Sequence, residues 1–207
     1  MIYENTPAIE TERLILRKFM MNDSEALYEI LKDKDVNTYL PWFTMKNFDE
    51  TREFLKQRFL NYYNDEHTSA YRYAICLKED GIPIGYAWLA DNESCDFGYG
   101  LKKEFWHEGI TTEASKAVVE RIKKAGYTYI TATHDINNPR SGEVMKKLGM
   151  DYKYSYIEQW QPKDIAVTFR LYQFNFDGNK KRTYLEYWHK NEKHFIEDVF
   201  NGEYHEN

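Results

Sequence analysis

The sequence predicts an α+β fold: a mixed, mostly antiparallel sheet of about seven strands flanked by helices. Residues 71–78, 84–89 and 97–101 are strand-like runs joined by short turns, with a hairpin signal at Asp80-Gly81. Residues 97–133 continue as strand, loop, helix and strand, a crossover that makes its two strands parallel. Two further strands, about 154–161 and 166–176, form a closing hairpin.

The N-terminal part supplies one strand and two helices. Residues 13–17 form the strand, and Asp23 is a candidate cap for a helix that runs to Leu31. Asn47 and Glu50 resemble a capping box and open a second helix that reaches about residue 63. Between the helices, the aromatic run 39–43 is broken by proline, which indicates a loop.

Glycine and proline mark the ends of the later helices. A helix over 113–125 ends at Gly126, and another begins at Pro139 and ends at Gly149. Residues 184–200 are predicted to form an additional amphipathic helix. We therefore expect one main domain over 1–177 and a helical extension over 178–207. The aromatic face of this extension is a candidate surface for a homodimer.

Composition excludes several classes of protein. Hydrophobic residues make up 42% and aromatic residues 17% of 207 residues, enough for a folded core. The sequence has no apolar run of the ~20 residues that a membrane span needs, no apparent signal peptide and only two cysteines, so we expect a cytoplasmic protein without a membrane partner. The net charge of −6 argues against nucleic acid as a partner. No metal site is expected.

The most informative stretch is the loop 105–112, between a predicted strand and a predicted helix. A helix N-terminus gathers unpaired N–H groups and the positive end of the helix dipole, which together bind anions. Gly109 allows the backbone to turn tightly and approach a ligand. Neither a GxGxxG fingerprint nor a GxxxxGK[ST] loop occurs, so flavin, nicotinamide and nucleotide-triphosphatase functions lose their usual support.

Three motifs in order resemble the GNAT family of N-acetyltransferases, and specifically its ribosomal-protein N-terminal branch. Trp106, Gly109, Thr112, Glu113 and Ala114 match that branch's W-G-K-G-Y-A-T-E-A pattern, whereas His107, Glu108 and Thr111 depart from it. The second motif, N-x-x-S-x-x-V-x-x-K-L-G-[FM], is matched by Asn138, Ser141, Val144, Lys147, Leu148, Gly149 and Met150. The third, a TxRLxLR start, is similar to residues 11–17.

The resemblance implies acetyl-CoA as cosubstrate. It implies a strand N–H near Leu101 that stabilises the oxyanion, and a cofactor site made of that strand, the loop and the helix that begins at Pro139. The residues of this site are Leu101, His107, Glu108, Gly109, Ile110, Thr111, Thr112, Asn138, Ser141 and Lys147. We expect the Glu108 side chain to point away from the diphosphate, because two negative charges would repel each other. Thr111 adds a side chain where family members often have Gly or Ala, which could weaken CoA affinity.

Acetyl transfer to an amine needs a base for the amine and an acid for the leaving thiolate. Many family members use a tyrosine as the acid, at the position that Met145 occupies here, so the resemblance points to Ser141 instead. Asp96 and Glu93 are the candidate bases. Glu158 is a third candidate, and His134 could also titrate near neutrality.

The acceptor is the least constrained part of the interpretation. Tyr39, Trp42 and Phe43 are expected to line its pocket, whereas Trp88 is expected in the core. We expect transfer of the acetyl group to a primary amine, in particular the N-terminal amine of a protein such as a ribosomal protein. The alternatives are acetylation of a small amine (an antibiotic, a polyamine or an amino acid) and a non-catalytic CoA-binding module.

Overall fold

The computed structural model describes residues 5–63 and 70–198, and within them nine strands form two sheets. The strands are β1 (Ile9–Glu10), β2 (Leu14–Arg17), β3 (Tyr71–Leu77), β4 (Pro83–Leu89), β5 (Phe97–Leu101), β6 (Tyr129–Asp135), β7 (Asp151–Trp160), β8 (Ile165–Asn175) and β9 (His194–Phe195). The α-helices are α1 (Ser24–Leu31), α2 (Lys34–Asn37), α3 (Phe48–Leu55), α4 (Asn61–Tyr63), α5 (Ile110–Lys124), α6 (Pro139–Lys147) and α7 (Glu186–Lys190). A single π-helical turn, Lys56–Leu60, joins α3 to α4.

The first sheet has the order β1-β2-β3-β4-β5, and every neighbouring pair is antiparallel. Both of its faces are covered, so β3 is almost entirely buried. Tyr73 and Ile75 pack into the cluster that contains the apolar face of α5. Ala74 and Cys76, on the other face, pack against α1 and α3. The sheet therefore separates an α5 face from an α1/α3 face.

The second sheet has the order β6-β8-β7-β9 and is also antiparallel throughout. It meets the first sheet at one parallel bridge, between Asp96 and Thr131. The parallel direction of β5 and β6 therefore agrees with the predicted crossover. Beyond the bridge the two strands belong to different sheets, so their carboxyl ends flank a gap instead of sharing a ladder.

The prediction of one long C-terminal helix over 184–200 is wrong for the residues that the structure describes. Only Glu186–Lys190 is helical, and the chain then extends as β9 against the edge of β7. The Glu197 carboxylate accepts hydrogen bonds from Arg170 Nε at 2.8 Å and Ser155 Oγ at 2.6 Å. Pairing with an open strand edge and binding a half-buried arginine therefore outweigh the helical pattern. Residues 199–200 of the predicted helix lie outside the described residues.

Two predicted helix caps differ in detail from the prediction, because nearby groups bind the side chains of Glu50 and Asp23. Asn47 Oδ1 accepts from Glu50 N–H at 2.9 Å, as predicted, but Glu50 Oε2 accepts from Lys46 N–H instead of completing a capping box. Asp23 precedes α1, as expected, yet its carboxylate binds Arg17 through two bonds of 2.7 and 2.9 Å. Within the described ranges, no helix is both long and apolar enough to cross a membrane.

Candidate active site

The gap between β5 and β6 is the centre of the candidate site. The loop 105–109 follows β5, and the first turn of α6 follows β6, so both lie at the carboxyl ends of these strands. Ligands commonly bind at such a crevice, where neighbouring strands part. The Arg140 guanidinium, in the first turn of α6, lies 5.4 Å from the centre of the Trp106 ring and connects the two sides.

The cofactor loop has the backbone of an anion site. His107 and Gly109 both have left-handed conformations, with φ of +68° and +77°. Helix α5 starts at Ile110, whose side chain is buried in the core and fixes the start of the helix. The N–H groups of the first helical turn, including those of Thr111 and Thr112, have no partner within the helix and are suited to oxygen atoms of a diphosphate.

The turn between β1 and β2 holds this loop in place through Glu113. Its Oε1 accepts from Thr11 Oγ1 at 2.6 Å and from Arg13 N–H at 3.0 Å, and its Oε2 accepts from Arg13 Nε at 2.7 Å. Burial opposes the ionisation of Glu113, but these hydrogen bonds outweigh it and hold its pKa below the ordinary range. The first and third sequence motifs therefore meet at one carboxylate.

Arg13 also orients the peptide bond that precedes Gly109. Arg13 Nη1 donates to the carbonyl oxygen of Glu108 at 3.0 Å. Because the C=O and N–H of a trans peptide point in opposite directions, the N–H of Gly109 points away from Arg13. The Glu108 side chain is exposed, and its orientation away from the diphosphate stays a prediction.

The β5 edge presents backbone donors to the gap. Ala90 N–H bonds Asp96 C=O and Lys102 N–H bonds Ile84 C=O, both at 2.8 Å. Antiparallel pairs alternate, so the N–H groups of Tyr99 and Leu101 point away from β4 and toward the gap. The Trp106 indole donates to the carbonyl of Leu101 at 2.9 Å. The Leu101 N–H expected to stabilise an oxyanion therefore faces the gap, with its own carbonyl already satisfied.

Tyr99 contacts Ser141 across the gap. Tyr99 Oη donates to the Ser141 carbonyl at 2.8 Å and lies 3.1 Å from Ser141 Oγ. Asn138 precedes α6 and is half-buried, and its carbonyl accepts from Ser141 N–H at 3.2 Å. Met145 is buried in the core, so the usual tyrosine position holds no proton donor. Tyr99 was not expected from the sequence, although it lies in a predicted strand.

Asp96 differs from the other carboxylates near the gap. Its Oδ1 is shielded from solvent, and no described residue donates a hydrogen bond to it. Burial raises the pKa of Asp96 to about 7, partly offset by hydrogen bonding to Thr131. Glu93 is exposed in the turn before β5, and Glu158 is half-buried on β7. Asp96 is therefore the carboxylate whose environment suits a base near neutral pH.

His134 is buried at the end of β6. Its Nδ1 pairs with the carbonyl of Asp135 at 2.8 Å, while Nε2 has no partner among the described residues and faces Gly142 of α6. Burial lowers the pKa of His134. The imidazole is therefore neutral at physiological pH, and it packs against α6 rather than against the open part of the gap.

On its α1/α3 face, β5 has a glycine, Gly98, where a side chain would otherwise project. A Cβ at Gly98 would lie 1.8 Å from Trp88 Nε1, so the absence of a side chain lets the Trp88 indole lie over the strand. Trp88 is half-buried, and the Arg72 guanidinium lies 5.0 Å from its ring. Trp88 therefore packs against the core cluster of this face, as expected, with part of its ring at the surface.

The predicted acceptor residues occupy three different environments. Trp42 Nε1 donates to Asn37 Oδ1 at 3.1 Å, and its ring packs edge-on against Phe54 at 5.2 Å. Phe43 is 58% exposed, and Tyr39 is half-buried. Lys163, in the β7–β8 turn, donates to the carbonyl of Asn37 at 2.8 Å. The segment that carries the three aromatic residues is thus tied to the β7–β8 turn.

Lys147 lies apart from the other predicted cofactor residues. It is exposed in the last turn of α6, whereas Asn138 and Ser141 lie at the first turn. At 1.5 Å per residue, Asn138 and Lys147 are separated by roughly 14 Å along the helix. A contact between Lys147 and CoA stays a prediction.

Comparison with known proteins identifies the family. The model of the acetyltransferase (GNAT) domain matches residues 13–151, which is more than half of the chain. The chain belongs to the GNAT acetyltransferase family. It is an acetyl-CoA-dependent acyltransferase, and the fold expected from the sequence motifs is confirmed.

Individual relatives are more distant. The uncharacterized N-acetyltransferase YnaD of Bacillus subtilis is 27% identical over 147 residues, which cover 69% of this chain and 81% of YnaD. A GNAT-family acetyltransferase from Bacillus anthracis has a TM-score of 0.71 at 23% identity, covering 83% of this chain and 99% of that one.

Two further solved structures share the GNAT fold. An acetyl transferase from Salmonella typhimurium that modifies the N-terminal serine of a 50S ribosomal subunit protein has a TM-score of 0.70 at 18% identity, covering 82% of this chain and 99% of its own. The microcin C7 self-immunity acetyltransferase MccE, solved with acetyl-CoA and AMP, has a TM-score of 0.69 at 16% identity, covering 80% and 93%.

Proposed function

We propose that this GNAT enzyme acetylates the N-terminal α-amine of a protein or peptide, with Asp96 as the base and Ser141 as the proton donor. Acetyl-CoA supplies an activated acetyl group as a thioester. Asp96 takes a proton from the amine, directly or through a water, while the nitrogen forms a bond to the acetyl carbon and the C–S bond breaks. Ser141 delivers a proton to the sulfur and is reprotonated, through water, by the second proton that the nitrogen loses as the amide forms. The Leu101 N–H stabilises the carbonyl oxygen as it gains negative charge.

The pKa of Asp96 carries this proposal. An α-amine titrates near ~8 and a lysine amine near ~10.4, so the α-amine is the easier of the two to deprotonate. The Asp96 pKa of about 7 is within about one unit of the pKa of the α-amine. It lies more than three units below the pKa of the lysine amine, so Asp96 is a poor base for lysine. The Salmonella structural relative, which modifies an N-terminal serine, supports the same class of acceptor.

The placement of the two groups also favours direct transfer. Asp96 shares a face of β5 with Gly98, whereas Tyr99, which contacts Ser141, points to the opposite face. A base on one face and an acid on the other suit an amine that approaches from one side and a thiolate that leaves toward the other.

Thiol release from acetyl-CoA, measured with a panel of acceptors, tests the proposal. The panel contains peptides that begin with Ser, Ala or Met, the same peptides blocked at the α-amine but carrying an internal lysine, and small amines. We expect turnover with free α-amines, a loss of at least 100-fold in kcat for Asp96→Asn, and little change for the exposed neighbour Glu93→Gln. Turnover with blocked peptides or only with small amines would contradict the proposed acceptor, and full activity of Asp96→Asn would contradict the proposed base.

A further inference from the structure

The C-terminal segment places an aromatic side chain beside Asp96. We call residues Tyr184–Glu197 the C-terminal cover. Its helix α7 stacks Tyr187 on Tyr156, with ring centres 5.2 Å apart and planes inclined by 25°. Ser94 and Asp96 both lie close enough to Tyr187 to act on its pKa, and Ser94 Oγ accepts from the N–H of Asp96 at 3.2 Å. The same buried serine therefore neighbours the tyrosine of the cover and bonds the backbone of the proposed base.

Charged and polar contacts fix both ends of the cover to the second sheet. At its end, the Glu197 carboxylate binds Arg170 and Ser155, and the Glu197 N–H donates to Tyr152 Oη at 3.0 Å. At its start, Tyr154 Oη donates to the Tyr184 carbonyl at 2.8 Å. Charge-assisted bonds to a half-buried arginine are among the stronger contacts in proteins. The cover is therefore a built part of the fold rather than a loosely attached tail.

The cover also lies beyond the residues that the GNAT family model matches. That model ends at residue 151, at the start of β7, so β8 and the cover both follow it. The Bacillus anthracis structure aligns over 99% of its own length while covering only 83% of this chain. A segment of this kind, packed beside the reacting groups, is a natural place for properties that distinguish this enzyme from its relatives.

We propose that the C-terminal cover is a wall of the acceptor site, in which Tyr187 excludes water from Asp96 and limits the groups that reach it. This inference rests on the proposed function, in which Asp96 is the base. The charge of Asp96 acts on the pKa of three phenols: Tyr156 from β7, Tyr187 from the cover and Tyr99 from the opposite face of β5. Burial raises the pKa of each, and the negative charge of Asp96 adds to the effect.

Glu158 on β7 faces the same group of residues, since its charge also acts on Tyr156 and Tyr187. The groups near Asp96 thus include phenols and the hydroxyls of Ser94 and Thr131, and the Glu158 carboxylate acts on two of those phenols. Dehydration is therefore the main reason that Asp96 holds its proton, and removing the ring that shields it should release that proton.

A carboxyl titration by NMR tests the cover without any substrate. The full chain is labelled with 13C at the aspartate carboxyls, and Asp96→Asn assigns the Asp96 resonance. In the wild type we expect a pKa of about 7. In Tyr187→Ala we expect it to fall by more than one unit toward the ordinary value of about 3.9. Tyr187→Phe, which keeps the ring, should stay within half a unit, and so should Leu185→Ala, an exposed position of the same segment.

Far-UV circular dichroism checks that each variant is folded. If Tyr187→Ala does not fold, Glu197→Gln loosens the cover at its anchor and should lower the Asp96 pKa in the same direction. An Asp96 pKa that does not move in the folded variants, or that is ordinary in the wild type, overturns the proposal. The outcome is independent of turnover, so loss of the proposed function and loss of the cover's role are distinguishable.

Discussion

Asp96→Asn should stabilise the protein, and the gain should grow as the pH rises. Folding raises the pKa of this carboxyl from 3.8 to about 7, so the native state resists its ionisation. Below pH ~4 the Asp96 carboxyl is mostly protonated in both the native and the unfolded state, so its burial hardly lowers the free energy of unfolding. The cost rises between the two pKa values and is complete above pH ~7, where about three units correspond to about 4 kcal/mol.

Urea denaturation of wild type and Asp96→Asn at pH 5 and pH 8 measures this effect. The cost is about 1.5 kcal/mol at pH 5, so the difference in unfolding free energy between variant and wild type should grow by about 2.5 kcal/mol from pH 5 to pH 8. Other titrating groups, such as His134, are present in both proteins and cancel in the comparison. Glu93→Gln serves as the control, because that exposed side chain should give a difference that does not change with pH. A flat difference for Asp96→Asn as well would refute the reasoning.

Three further substitutions probe the rest of the site. Arg13→Ala should weaken CoA binding about tenfold in calorimetry, the value of one charge-assisted hydrogen bond, because the peptide before the loop glycine is no longer held. Binding of pantetheine, which lacks the diphosphate, should not change, and the exposed Lys78→Ala is the matched control; equal losses for CoA and pantetheine would contradict this role. Gly98→Ala should cost about 1–3 kcal/mol in denaturant unfolding because its Cβ meets the Trp88 indole, and adding Trp88→Ala should restore part of the loss. Tyr99→Phe removes the hydroxyl that contacts Ser141, so it should lower kcat about tenfold with little change in the KM for acetyl-CoA, and an unchanged kcat would show that this contact does not position Ser141.

Local sequence patterns predicted most of the helices and strands, because the start and end of each depend on residues close in sequence. Gly126 and Gly149, both with positive φ, end α5 and α6 where the sequence indicates. The separation of β5 and β6 into two different sheets was not predictable in this way, since a strand pattern does not show which neighbouring strand each edge will pair with. The C-terminal segment was mispredicted for a related reason. Its helical spacing is real for one turn, but Arg170 and the edge of β7 lie far away in sequence and decide its conformation.

The motifs located the cofactor loop but could not choose the base. Asp96 and Glu93 are three residues apart in one turn, and either satisfies the sequence pattern. What separates them is burial, since Asp96 is shielded from solvent and Glu93 is exposed, and burial is set by the packing of residues distant in sequence. Likewise, nothing in the strand pattern of residues 97–101 shows that Tyr99 reaches Ser141, because that contact crosses between two sheets.

Side chains along β5 alternate between its two faces, and this explains why the sequence predicts the cofactor but not the acceptor. Tyr99 and Leu101 face α5 and α6, where the first and second motifs lie, and these contacts serve a ligand common to the family. Asp96 and Gly98 face the other way, toward Trp88 and the C-terminal cover. Residues on that second face can change without disturbing the cofactor site, since the strand itself separates them. Acceptor choice can therefore diverge among relatives whose cofactor motifs remain recognisable, and in this chain the cover is a part of the second face that lies beyond the residues matched by the GNAT family model.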